Sequence, residues 1–455
     1  MHLSGDLASK GFVGRKREMA ALRTALDEAT AGRGRLLLLA GEPGMGKTRT
    51  AEEFANVVRA QRGRVLWGRC YEGEGAPAFW PWVQVLHACA KYFDAEALRG
   101  ALGAGAADLA HLVPTIREQL ADVPEVTPSE SPEARFRLFD GVARFLCKAA
   151  QQAPLAVILD DLHGADRSSL SLLEFLTREM RVLPILVLGT YRDVGATDEL
   201  TEALVDLGRG SGTERLVLRG LSREEIAQFV EVSAGVKPPE TLLTSLHQRT
   251  EGNPLFVGEF VRVLLAQHDD SAIRDPQPAF ALAVPRGVKA VIERRLAPLT
   301  AACREVLRVA AVVGREFGLQ IVAAVMLLTG AGAEGVRADE VPLSDVVREA
   351  EEAGLVDQLP ESQRGYRFAH ALIRETLYDG LRRSELATLH CHVGTAMERL
   401  PNADEHLSEL AYHFFQAGAD GANKTIGYAQ RAGDGAMALL AYEEAQRLYD
   451  LGLNA

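Results

Sequence analysis

Cysteine is scarce in this chain. The five residues, Cys70, Cys89, Cys147, Cys303 and Cys391, are odd in number, widely spaced and without a C-x-x-C pair. That pattern excludes a disulfide framework, and the thiols read as reduced and mostly buried, in a cytoplasmic protein. An excess of positive charge is also missing. The net charge of −12 argues against a broad nucleic-acid or membrane surface, although a small basic face is still allowed. Met1 to Lys10 has no apolar segment of the kind a secretory signal needs. No long hydrophobic run exists either, since the most apolar stretch, Val306 to Leu328, is broken by Arg308, Arg315 and Glu316. What is present is an ordinary globular balance of 47% hydrophobic and 25% charged residues over 455 positions. That length suits about three domains, each able to bury a core.

The chain is organised around Gly41-Glu42-Pro43-Gly44-Met45-Gly46-Lys47-Thr48, which fits the phosphate-binding pattern G-x-x-x-x-G-K-[ST]. Arg35 to Ala40 ahead of it has the length and apolarity of a buried strand, and Thr50 to Val58 behind it repeats its apolar residues at helical spacing. That context is what the pattern requires. Gly41, Gly44 and Gly46 let the backbone turn so that successive N–H groups surround a phosphate. Lys47 would reach the β- and γ-phosphates, the Thr48 hydroxyl would hold Mg²⁺, and the new helix would add its positive end.

Further strands are expected at Arg64–Tyr71, Leu155–Leu159, Pro184–Thr190 and near Arg215–Leu218. The third ends in Asp160-Asp161. An apolar strand delivering two carboxylates at its carboxyl end is a Walker B signature, in which one acid holds hydrated Mg²⁺ and the other activates water. The fourth ends in Tyr191-Arg192. Strands separated by helical segments imply a parallel sheet with its ligands at the carboxyl ends, where these clusters converge. An amphipathic helix through Ala29 precedes the sheet, and helical stretches near Trp80–Phe93 and Glu133–Ala150 fill a long crossover around a Pro-rich loop at Val123–Pro132.

Ser222-Arg223-Glu224-Glu225 is a capping box opening a helix. Helices continue through Glu251-Gly252-Asn253-Pro254-Leu255-Phe256 to about Ala266, and Gln267–Val284 reads as a linker. Helical patterns at Val288–Leu296, Ala302–Val313, Leu319–Leu328 and Leu343–Ala353 then precede two short strands, Leu355–Leu359 and Tyr366–Ala369. That is winged-helix order, with acids and bases nearly balanced, so DNA binding by this part is the weaker reading. Leu407–Ala417, Thr425–Leu439 and Ala441–Leu453 look like helices of the tetratricopeptide kind. Such an array needs about three repeats, so these helices are expected either to cap themselves on the winged helix or to open a longer protein. With only about ten residues ahead of the first module, any effector is expected beyond Ala455.

Together the residues resemble the STAND class of signal-transduction ATPases, AAA+-related P-loop switches. The look is nearest to the ATPase modules of large LuxR-type (MalT-like) bacterial regulators and of cyclase-linked proteins. The resemblance rests on Phe12-Val13-Gly14-Arg15, on Gly41–Thr48 and Leu155–Asp166, on Gly189–Asp193 and Glu251–Phe256, and on Tyr366–Glu375. It implies an α/β P-loop ATPase with a five-stranded parallel sheet over residues 1–220, and a helical lid and linker over 221–284. A winged helix over 285–400 and the start of tetratricopeptide-like helices over 401–455 would follow. It also implies ATP/ADP and Mg²⁺ as ligands, with Phe12 and Val13 against the adenine, Lys47 and Thr48 on phosphate and metal, and Asp160 on Mg²⁺. Asp161 would be the base, Arg192 a γ-phosphate sensor, Pro254 a lid residue on the base, and His370 a contact to the β-phosphate of ADP. The family departs at two places: Lys16 stands where an acid commonly follows Gly-Arg, and Ala371 where relatives often carry Asp. The implied partners are ATP and, in the ATP state, further copies or other proteins, with DNA reached only through an effector outside this chain and no membrane. Three alternatives remain open: an origin-recognition-like DNA-loading AAA+ protein, an interaction scaffold that binds nucleotide without turnover, and, least favoured, a metabolic kinase.

Overall fold

The computed structural model describes residues 11–70, 75–124, 132–193, 198–210, 212–266, 292–293, 295–329, 343–359 and 365–455. Its first layer is a five-stranded sheet in the order β2-β3-β4-β1-β5, with β1 Arg35–Ala40, β2 Arg64–Arg69, β3 Leu155–Asp160, β4 Ile185–Tyr191 and β5 Thr213–Val217. Every pairing is parallel. The central strands are continuous apolar runs because both faces are covered. Leu37, Leu39, Ile158 and Leu188 pack under α1 (Lys16–Thr30) and α2 (Lys47–Ala60). Leu36, Leu38, Val157, Leu159 and Val187 meet the opposite helices. The order places β4 between the strand that feeds the phosphate loop and the strand that ends in the two acids, so all three deliver polar groups to one edge.

The crossover from β2 to β3 holds α3 (Trp80–Ala90), α4 (Ala95–Leu102), α5 (Ala106–Leu112), α6 (Thr115–Gln119) and α7 (Pro132–Gln152). Of these, α4 to α6 were not expected. The Pro-rich loop lies largely outside the described residues. Next come α8 (Arg167–Glu179) and α9 (Asp198–Gly208). A lid follows, formed by α10 (Arg223–Ala234), α11 (Glu240–Thr250) and α12 (Pro254–Ala266) around Ile226, Val230, Leu246 and Val257. The capping box is present with both bonds: the Glu225 N–H donates to Ser222 Oγ at 3.2 Å and the Ser222 N–H to Glu225 Oε2 at 2.9 Å. The expected linker and most of the expected helix Val288–Leu296 lie outside the described residues.

A second module joins α13 (Ala301–Val313), α14 (Leu319–Thr329) and α15 (Leu343–Glu352) to a three-stranded antiparallel sheet, β6-β8-β7. Here β7 is Val356–Gln358 and β8 Tyr366–Phe368. The third strand, β6 (Glu316–Phe317), was not anticipated. Its core runs on into α16 (Ala371–Asp379), α17 (Arg383–Met397) and α18 (Leu407–Gln416) through Ile373, Val393, Met397, Leu410 and Phe414. The last two helices, α19 (Ala422–Ala438) and α20 (Tyr442–Leu453), keep contact with that core through Tyr428. Ala436, Leu440, Ala441, Ala445 and Leu448 are packed into the core of the α/β module. The tail therefore closes the chain back onto its first module. Among the described residues no helix is long and apolar enough to cross a membrane.

Candidate nucleotide site

A cleft of about 410 Å³ lies where the strand ends, the lid and the second module meet. The phosphate loop forms its floor. Gly44 and Gly46 both have φ +84°, a conformation open to glycine and strained for other residues, so the loop folds back on itself ahead of α2. Lys47 is buried and curls over the loop, with Nζ donating to the Gly41 carbonyl at 2.9 Å and the Glu42 carbonyl at 3.1 Å. Two side chains hold the loop from outside. Arg15, itself in the left-handed region, donates to the Met45 carbonyl at 2.7 Å and to the Arg219 carbonyl. Asn253 donates from Nδ2 to the Pro43 carbonyl at 3.0 Å, while its Oδ1 accepts from the Leu255 N–H at 3.1 Å. The lid is thus bonded to the loop backbone next to Gly44.

The two acids at the end of β3 differ in setting. Asp160 is fully buried and accepts from Thr48 Oγ1 at 3.1 Å and from Thr190 Oγ1 at 2.6 Å. Arg69 Nε lies 3.4 Å from its Oδ2. Burial, with Asp161 adding, raises the Asp160 carboxyl above its usual range, and Arg69 opposes this. Asp161 turns the other way: its φ is +61°, its N–H donates to Thr190 Oγ1 at 2.9 Å, and its side chain faces the cleft. The hard oxygens of Thr48 and Asp160 are adjacent and suit Mg²⁺. No group of three or more His, Cys, Asp or Glu among the described residues could hold a metal alone. A Mg²⁺ here would therefore complete its shell with phosphate oxygens and water.

Phe12, Val13, Gly44, Gly46, Lys47, Thr48, Asp161, Arg192, Pro254 and His370 all line this cleft. Gly41 and Asp160 stand just behind the lining, bonded to Lys47 and Thr48 respectively. The apolar end is made by Phe12, Val13, Leu221, Phe229, Pro254 and Leu255, a slot for a flat ring. The far wall comes from the second module: Arg315, Asp357, Arg367, Ala369, His370 and Ala371. His370 ends the hairpin and caps α16, its Nδ1 accepting from the Leu372 N–H at 3.2 Å. Sequence reasoning missed Arg15, Asn253, Arg69 and Arg315. Asn253 lay inside a noted motif without a role, and Arg315 was noticed only as a charge interrupting an apolar run.

With this geometry in view, residues 11–188 match the family model of the AAA ATPase domain. The α/β module thus has the fold and motifs of an AAA+-related P-loop ATPase. An uncharacterized protein of Rhizobium meliloti (strain 1021) is 27% identical over 412 residues. The match takes in 85% of this chain but only 37% of that protein, so the chain spans little more than a third of its curated relative. Among solved structures, the Aeropyrum pernix ORC1 protein in complex with DNA is similar over 83% of this chain and 95% of its own, at 15% identity and TM-score 0.35. Cdc6p from Pyrobaculum aerophilum is similar over 83% and 98%, at 14% identity and TM-score 0.38. A Thermotoga maritima RuvB variant is similar over 84% and 100%, at 16% and 0.33.

Proposed function

We propose that the chain is a regulatory ATPase switch that binds ATP–Mg²⁺ in this cleft, hydrolyses it slowly and reports the nucleotide state through its second module. The observation that carries the reading is that the phosphate loop and His370 line the same cleft although they are far apart in sequence. A nucleotide there would touch both modules. In this reading Lys47 holds the phosphates, Thr48 and Asp160 hold Mg²⁺, Asp161 accepts the proton of the attacking water, Arg192 senses the γ-phosphate, and Phe12, Val13 and Pro254 enclose the base. The bounds proposed for the parts are 1–220 (ATPase), 221–284 (lid and linker), 285–400 (winged helix) and 401–455 (repeat-like helices). A cytoplasmic location, self-association in the ATP state and a role in a larger bacterial regulator belong to the same proposal. Reversing a 1:99 population takes about 5.5 kcal/mol of differential binding, and a hydrogen bond to a charged group contributes about 1.5–3 kcal/mol. Two or three contacts made in one nucleotide state suffice.

The test is Lys47→Ala. Because the Lys47 ammonium is already bonded to the loop backbone, its loss is expected to cost some loop order as well as the phosphate contact. ATP affinity should fall below detection by calorimetry while circular dichroism stays native. Unchanged affinity in a folded variant would refute the site. A DNA-loading reading keeps one supporting observation: Arg262 on the lid helix α12 lines the cleft, where such proteins need a lid arginine. Mobility shift of duplex DNA by the full chain with ATP would favour that reading.

A further inference from the structure

The edge of the sheet meets the second module along a polar seam in which site residues are paired with residues from the other side. Arg315 Nη1 donates to Asp161 Oδ2 at 2.6 Å. Arg192 Nη1 donates to Glu375 Oε1 at 2.9 Å. Arg69, whose Nε faces Asp160, places Nη1 3.4 Å from Glu316 Oε1. The two site residues that would act on the γ-phosphate end carry opposite charges, and each is matched by a residue of the second module with the complementary charge. The Arg315–Asp161 pair is also dry, with side chains only 16% and 8% exposed, so water screens it little.

We infer that Arg315 is a positioning residue for hydrolysis, which holds Asp161 away from the attacking water while Glu375 holds Arg192, so that this arrangement is the hydrolysis-off form. The inference rests on the ATPase reading of the cleft. In the reaction, the water oxygen bonds to the γ-phosphorus as the bond from that phosphorus to the β–γ bridging oxygen breaks. ADP leaves with the bonding pair, and the water proton goes to Asp161. A carboxylate already bonded to a guanidinium is a poorer acceptor for that proton and is not aimed at the water. The release is built into the same corner. Arg69, Arg315 and Arg367 all line the cleft, and Arg367 is held below the ordinary arginine range by burial and then by Arg69 and Arg315. A γ-phosphate entering this crowd of like charge competes with Asp161 for Arg315 and with Glu375 for Arg192.

The experiment measures phosphate release by the full chain at saturating ATP–Mg²⁺, with ATP affinity by calorimetry on the same samples. Arg315→Gln is expected to raise kcat roughly tenfold, the loss of one charge-assisted bond that restrains the base, with ATP affinity changed by no more than a few-fold. Glu375→Gln should raise kcat less, and Arg315→Lys, which keeps charge but loses the planar fork, should fall between wild type and Arg315→Gln. Adding Asp161→Asn to any of them should abolish turnover. A kcat at or below wild type in an Arg315→Gln protein that still binds ATP would overturn the inference, because the contact would then be structural or would support catalysis. Should Arg315→Gln not fold, Arg315→Lys and Glu375→Gln decide by the same rule. If the wild type fails to bind ATP, the ATPase reading itself is wrong and the inference goes with it; if Asp161→Asn alone hydrolyses ATP at the wild-type rate, Asp161 is not the base and the inference falls while the ATPase reading stands.

Discussion

The two ring nitrogens of His370 separate the cap from the proposed phosphate contact. Nδ1 accepts the Leu372 N–H and so caps α16, which leaves Nε2 as the protonated atom of the neutral ring. Because the residue lines the cleft, a nucleotide phosphate oxygen seated there is the acceptor proposed for that N–H. Two substitutions separate the roles. His370→Ala removes both and is expected to cost about 1 kcal/mol for the lost cap. His370→Asn keeps an acceptor for the cap, while its amide N–H, on a shorter side chain, no longer reaches the position of Nε2. Both should weaken ADP roughly tenfold or more while ATP changes less, and only the alanine variant should melt earlier. Affinities for both nucleotides and the melting temperature, measured on one preparation, check this; an unchanged ADP-to-ATP ratio in both variants would reduce His370 to a cap. Lys47, Thr48, Asp160 and Asp161 were legible in the sequence because phosphate and metal chemistry fixes residue types at short spacings behind recognisable strands. The pairing of Arg315 and Glu375 was not, since their partners Asp161 and Arg192 lie 154 and 183 positions away and nothing local marks which residue each would meet.

At the scale of elements, the strands of the parallel sheet could be read because burial on both faces forces apolar runs such as Leu36–Leu39. The helices α4 to α6 were missed because they are short and interrupted by Gly100, Gly103 and Gly105, so neither propensity nor period accumulates. β6 has two residues and exists only by pairing with β8. The joint between α17 and α18 had no sequence signal either, yet it holds a buried polar pair. His390 Nδ1 and His413 Nδ1 are 2.9 Å apart, and His390 Nε2 is 2.9 Å from the Tyr378 hydroxyl. The shared bond requires one ring to donate and the other to accept, so the two rings cannot both be charged. Burial, with Arg374 adding, pushes His390 from the usual 6.5 down to about 4, and burial followed by His390 and Arg374 pushes His413 well below its usual range. As pH falls, the unfolded chain takes up these protons first, so stability present above pH 6.5 is lost on the way to about pH 4. At about 1.4 kcal/mol per unit, His390 alone accounts for roughly 3–4 kcal/mol. Urea unfolding from pH 7 to 4 should therefore show a steeper loss in the wild type than in a His390→Gln, His413→Gln double variant. Equal slopes would mean that other groups titrate.

Over the whole molecule, the chain makes a closed circuit, and this the sequence did not show. The helical pattern of α19 and α20 matched the opening of a repeat array, whose apolar faces would normally wait for the next repeat. Part of their apolar face instead packs on the first module, and the rest, with Ala429 and Leu451, on α18. Leu440, Ala441, Ala445 and Leu448 share a core with Phe139, Leu172 and Leu173, and Glu443 accepts from Arg135 Nη1 at 3.0 Å and from Ser168 Oγ at 3.2 Å. Opening the seam at Arg315 must therefore either bend the chain between α18 and α19, where Gly418 has φ +69°, or part α20 from α8. Leu448→Ala separates a shared core from an independent tail. The side chain is 1% exposed, so its truncation leaves a cavity and is expected to cost about 2–5 kcal/mol. If α20 belongs to the core of the first module, hydrogen exchange in that variant should speed up in α7 and α8 as well as in residues 422–453, because a cavity at a shared contact loosens both sides. If the tail is a separate repeat unit, the faster exchange should stay within residues 422–453 and leave α7 and α8 at wild-type protection. The α7 and α8 amides decide between the two, since every account of the tail predicts change in the tail itself.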